Sequence, residues 1–152
     1  MSNELILMMH PAVGVLGILA AVWVFVEVLS AGPGNQSRIR IASLAVTVFI
    51  WAAYVAGGYW YVKYYAADKA LIKAGPWPFA HGIFMETKEH VFLLLLMIAT
   101  FLPITAFAYA SGRQGARNVV LWVSAFVVLV GLAMEGAGAF ISMGVKVALL
   151  AK

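Results

Sequence analysis

Four long apolar runs separated by polar breaks organise the chain. The first extends from about Pro11 to Ser30 and stops at Ala31-Gly32-Pro33-Gly34-Asn35-Gln36-Ser37, a string of turn formers. The second covers about Ile39 to Tyr61 and frays into Tyr64-Tyr65. The third covers about Met85 to Ala110, and the fourth about Ala116 to Ala148. A helix needs about 20 residues to cross a bilayer, so four such runs with short connectors nearly use up the chain. Pro11 suits a first helical turn, where its missing N–H costs nothing, with Leu5 to Met9 as an interfacial turn ahead of it. The longest connector, Ala66 to about Gly82, carries Pro76-Trp77-Pro78, which stops helix propagation. Pro103 lies inside the third run and predicts a kink there.

Composition turns this pattern into a class. Of 152 residues, 64% are hydrophobic and 11% charged, against roughly 25% charged in a soluble domain. So little polar surface cannot cover a globule in water. A soluble enzyme, a nucleic-acid module and a disordered tail are excluded, leaving an integral membrane protein with one domain over residues 1–152. The chain has no cysteine, which removes disulfides, thiolate metal sites, iron–sulfur clusters and covalent haem attachment. Met1-Ser2-Asn3-Glu4 lacks the basic start of a signal peptide, so the first apolar run is expected to stay as a helix.

Charge sets the expected orientation. Ten basic and six acidic residues give +4, and the scattered bases read as a topology signal, not as a nucleic-acid footprint. Arg38 and Arg40 lie in the first connector, Arg113 and Arg117 in the third. Short connectors rich in arginine face the cytoplasm. The expected fold is therefore an all-α membrane protein, a four-transmembrane-helix up-down bundle with both termini on the periplasmic side of a bacterial inner membrane. Trp60, Tyr61, Tyr64, Tyr65 and Trp77 would form an aromatic belt at that face.

Depth then groups the ionisable residues. At about 1.5 Å per residue, His10 and His90 each stand about 33 Å from the arginine-rich boundary, and Glu135 lies about one turn deeper. Glu86 stands four residues before His90 and shares its helix face. His10, His90, Glu86 and Glu135 are thus expected to converge from three helices. In an up-down bundle the first and third helices are diagonal partners, and two histidines at one depth on them could supply both axial ligands of a haem. Gly14 and Gly17 follow His10 on its own face and would leave room for a flat macrocycle. Glu135 is expensive within a span and is a functional-site candidate by default, as a proton relay, a quinol hydrogen-bonding group or a charge partner.

These residues carry two resemblances. With His10, His90 and the Gly14/Gly17 pair, the arrangement resembles small four-helix membrane b-type cytochromes, in which histidines on separate helices hold haem near one face. In length and topology the chain also looks like the small membrane protoporphyrinogen oxidases, which have a histidine in the first helix and a lysine in the third; His10 and Lys88 stand in those places. The first resemblance implies a haem b-binding electron-transfer protein, or the membrane subunit of a redox complex, linked to quinone or to a periplasmic electron carrier. Two alternatives stay open. One is a metal site for iron, copper or zinc built from His10, Glu86, His90 and Glu135; the other is a non-catalytic accessory or assembly subunit.

Plainer readings stand beside each residue. His10 could cap a helix at the interface, and His90 could pair with Glu86. His81, after Pro78, reads as a solvated loop residue, and as the substitute ligand if His10 or His90 is not one. Glu27 lies one turn from the arginine-rich end and is expected to form an ion pair there.

Overall fold

The computed structural model describes residues 3–30, 32–113 and 115–151. It is all-helical, with four helices long and apolar enough to span a membrane. These are α1 (Asn3–Leu29), α2 (Gln36–Ala74), α3 (Glu86–Ala110) and α4 (Ala116–Leu150). A short 3-10 turn, Pro33–Asn35, leads into α2, and a π-helix, Ala80–Met85, leads without a break into α3. α1 packs on α2 and α4, and α3 packs on the same two helices, so α1 and α3 stand across the bundle from each other.

Two helices are longer than their apolar runs suggest. α1 begins at Asn3 and continues through Pro11, which therefore sits inside the helix and not in its first turn. Proline within a spanning helix forfeits one backbone hydrogen bond, a loss that membrane helices tolerate. Leu5 to Met9 accordingly belong to the helix. α2 has 39 residues, about 58 Å of helix, against a hydrocarbon core of about 30 Å. Its last nine residues, Ala66 to Ala74, are rich in alanine and lysine, which are strong helix formers. The connector thereby shrinks to the residues around Pro76-Trp77-Pro78. α2 ends where Gly75 turns extended and its N–H reaches the Ile72 carbonyl, 3.2 Å away. A Cβ at Gly75 would stand 2.6 Å from the Ala148 Cβ, so only glycine lets the end of α2 touch α4.

α3 runs unbroken through Pro103. Proline at that position leaves the Ala99 carbonyl without its usual donor four residues on. Thr47 of α2 fills the place, its Oγ1 donating to Ala99 O at 2.7 Å. A backbone defect in one helix is thus satisfied by a hydroxyl from its neighbour, as a bilayer with no water requires.

The core is made of small and branched side chains, among them Val24, Val28, Ile39, Ala42, Val46, Leu95, Ala99, Leu102, Val120 and Val127. Large apolar residues point the other way: Trp122 is 77% exposed and Met97 70%. A surface this apolar requires lipid around it, and the protein is an integral membrane protein. A second, smaller core lies beyond this one, where Tyr65, Ile72, Ala80, Met85 and Ile141 bring α2, the π-helix and α4 together.

The two ends of the bundle differ in kind. At the arginine end, Arg38 clasps Glu27 with two hydrogen bonds of 2.8 and 3.1 Å, the ion pair expected for Glu27. Arg117 donates to the Val28 and Leu29 carbonyls, both at 3.2 Å, and so caps the last turn of α1. Arg40 lies 5.6 Å from the centre of the Phe107 ring. At the other end, called here the tyrosine end, polar groups turn inward.

Candidate functional site

His10 of α1 points into the seam with α2. Its Nδ1 lies 2.8 Å from the Ala53 carbonyl oxygen. A carbonyl can only accept, so Nδ1 carries the hydrogen and Nε2 presents a lone pair or, in the imidazolium, a second N–H. The approach depends on Gly57, one turn along α2 from Ala53. A Cβ there would stand 2.7 Å from the His10 ring.

Two further ionisable residues meet the same pocket. Glu135 of α4 reaches across to α1, where Gly14 clears its path: a Cβ on Gly14 would collide with Glu135 Oε1. Lys88 of α3 lays its ammonium against Gly138 of α4, with Nζ 3.0 Å from where a Cβ would stand. Its charge acts on both His10 and Glu135. His10, Lys88 and Glu135, with Gly14, Ile50, Ala53, Phe92 and Met134, line a cavity of about 10 Å³, about the space of one water. Among the described residues, Lys88 and Glu135 form no direct ion pair. They face each other across the cavity with His10 beside them.

The residues expected to converge therefore divide. His10, Gly14 and Glu135 come together. Gly17 is buried one turn further along α1, where a Cβ would press on Ile50; it serves the α1–α2 contact. His90 is exposed on the outside of α3, its Nδ1 donating to the Glu86 carbonyl of its own helix at 2.7 Å. The Glu86 carboxylate turns toward His81. His10, Glu86, His90 and Glu135 do not form one cluster, and among the described residues no three histidine or acidic side chains are placed to hold a metal ion. The site also does not fit a haem held between His10 and His90, since one histidine faces inward, the other outward, and the space beside His10 holds about one water.

Lys88 takes the inward place that the depth argument gave to His90. The packing sets the phase of α3: Lys88, Phe92, Leu95, Ala99, Leu102 and Ala106 follow one another at alternating spacings of four and three and form its inner stripe. His90 falls two residues off that stripe.

His81 is the other departure. It is 4% exposed, not a solvated loop residue. The π-helix that holds it turns its ring under Tyr65, whose hydroxyl lies 3.1 Å from His81 Nδ1, while Nε2 lies 3.4 Å from Glu86 Oε1. Irregular helical turns of this kind recur at functional sites. Beside the α1–α2 seam, an open groove of about 740 Å³ is lined by Met9, Trp51, Ala52, Val55, Ala56, Tyr59 and Tyr64. Compared with known proteins, the chain matches no family, no curated protein and no solved structure.

Proposed function

We propose that this protein is a membrane proton-exchange protein, in which His10, Lys88 and Glu135 form a site that takes up and releases protons within the bilayer. The observation that carries this reading is the convergence of three ionisable side chains from three helices in an otherwise apolar bundle. Ionisable groups inside a membrane are costly and mark proton relays and ion pathways. The chemistry follows from the three groups. Glu135 exchanges a proton between carboxylate and acid, Lys88 steadies the carboxylate form, and His10, fixed by Ala53 at Nδ1, offers Nε2 to a neighbouring water or proton.

The positive-inside rule places the arginine end in the cytoplasm and the tyrosine end outside, with both termini outside. In a bacterium that membrane is the inner one. The site then lies in the outer leaflet.

The groove beside Met9, Trp51 and Tyr59 favours a second reading, service as the membrane subunit of a quinone-linked redox complex. Its apolar, aromatic lining suits a quinone ring and its isoprenoid tail, and quinol oxidation releases protons of the kind a neighbouring His–Glu site accepts.

The test is infrared difference spectroscopy of the purified protein in nanodiscs across a pH titration. A carboxylic-acid band that titrates in the natural protein is expected to vanish in Glu135→Gln and to move its midpoint in Lys88→Met. A titration unaltered by Glu135→Gln would sink the proposal. Quinone retained by the natural protein and lost from Tyr59→Ala would support the second reading.

A further inference from the structure

The cavity shared by His10, Lys88 and Glu135 restricts what it can hold. It offers about 10 Å³, the room of one water molecule, so a hydrated ion does not fit. Charge restricts it further. The Lys88 ammonium repels a bare cation, and the Glu135 carboxylate repels a bare anion. A small neutral molecule that both donates and accepts hydrogen bonds suits both. The rest of the lining is apolar and comes from all four helices: Ile18 of α1, Ile50 of α2, Phe92 of α3 and Met134 of α4. α2 brings no ionisable side chain to this lining, only Ala53, whose carbonyl holds His10.

The His10 ring is oriented by α2. Its Nδ1–H donates to the Ala53 carbonyl at 2.8 Å, and the ring atoms nearest to Gly57 are Cε1, Nδ1 and Cγ. The opposite edge, Nε2 and Cδ2, is left for the cavity. Glu135 is admitted at Gly14, one turn along α1 from His10. Lys88 enters from α3, and among the described residues it forms no direct ion pair with Glu135. Three unlike groups therefore border one water-sized space. The ammonium only donates, the carboxylate only accepts, and the neutral ring accepts at Nε2. One water serves all three, accepting from Lys88 and donating to Glu135 and to Nε2. Buried waters ordinarily make about three such bonds.

We propose that one water bound between Lys88, Glu135 and His10 Nε2 carries protons between the Glu135 carboxyl and the His10 ring; this rests on the proton-exchange function above. Transfer through a single water is within the reach of a side-chain acid and base. From a neutral Glu135, the carboxyl O–H bond breaks and its proton joins the water oxygen. A water O–H bond breaks in the same step, and that proton joins His10 Nε2. The products are a Glu135 carboxylate, a His10 imidazolium and an unchanged water. No electron moves, Lys88 stays an ammonium, and the total charge is the same before and after. The reverse step returns the proton to Glu135. Lys88 holds the water by its oxygen, which keeps the water hydrogens for the other two groups. Nδ1 stays bonded to Ala53 throughout, so the ring need not turn. The proton enters and leaves His10 at Nε2 alone, and His10 acts as a store for the Glu135 proton.

The experiment is infrared difference spectroscopy of the protein in nanodiscs, titrated in ordinary water and in water labelled with oxygen-18. In the natural protein, a water O–H stretching band is expected to change in step with the Glu135 carboxyl band and to move to lower frequency with the heavy isotope. That water band is expected to shift or vanish in Glu135→Gln and in His10→Gln. Nitrogen-15 spectra of labelled histidine, with His10 assigned by its loss from His10→Gln, are expected to show Nδ1 protonated throughout and Nε2 gaining the proton on acidification. A titrating Glu135 band with no isotope-sensitive water band beside it would overturn the water and leave the proton-exchange function standing. So would a His10 ring that titrates at Nδ1, or a water band unaltered in whichever of the two variants folds. A natural protein with no titrating Glu135 band would overturn the function and the water together.

Discussion

The arginine end and the tyrosine end of this bundle solve the same problem in opposite ways. Both hold polar residues at the edge of an apolar core. At the arginine end the charges pair or finish a helix: Arg38 holds Glu27, and Arg117 caps the last carbonyls of α1. Nothing there needs to change state. At the tyrosine end His10, Lys88 and Glu135 are turned inward past glycines around space for about one water, and His81 is buried under Tyr65. Charges that only fix topology stay where water screens them, whereas groups placed to exchange protons sit where a proton's position matters energetically.

Substitutions can break or sharpen this contrast. The largest effect is expected from glycine replacement. Gly14→Leu drives side-chain atoms into Glu135 and should destabilise the bundle by about 3 kcal/mol, read as a fall in thermal midpoint in detergent. Gly34→Ala, with nothing within 4 Å of its Cβ, should leave that midpoint unchanged. Equal shifts for the two would erase the contrast.

Next comes the hydroxyl that repairs Pro103. Thr47→Val removes the donor to Ala99 O and should cost about 1 kcal/mol, whereas Thr47→Ser should restore most of it. A fully stable Thr47→Val would mean that the carbonyl finds another donor.

Smaller in stability but sharper in function is the comparison of two glutamates. Glu135→Gln should abolish the titrating carboxyl band and change stability little. Glu27→Gln should leave the band intact. If Glu27→Gln also altered it, the two ends would be electrostatically continuous and the division drawn here would fail. The smallest effect is expected from Arg38→Ala, an exposed pair partner whose loss should leave the thermal midpoint within about 1 °C.

How far the site was legible depends on the residue. Glu135 stood out because a carboxylate deep in an apolar span has no ordinary explanation; Gly14 was legible as a small residue on the face of His10, where the structure puts the Glu135 carboxylate instead of a macrocycle. Lys88 was hidden by the composition of its helix. Val91 to Ala99 is apolar at all nine positions, with no polar side to show which way the helix faces, so His90 and Lys88 were equally eligible for the inward place. Depth can be counted from sequence in such a helix, but rotation cannot. His81 was hidden for a different reason. Pro76-Trp77-Pro78 reads as a loop, yet the chain re-enters a helix at once and packs His81 under Tyr65, a partner 16 residues away on α2.

By itself, then, the sequence determined the membrane environment, the four helices and the pairing of Glu27 with the arginine end, because these depend on composition, run length and neighbours close along the chain. Only the tertiary structure decided which residues of α3 face inward, that α2 continues to Ala74, and that His81 is buried. Those outcomes are set by contacts between helices: Gly57 admitting His10, Gly138 admitting Lys88, and Gly75 meeting Ala148. Spans that are apolar on every side leave such choices to the fit of small residues against a neighbouring helix.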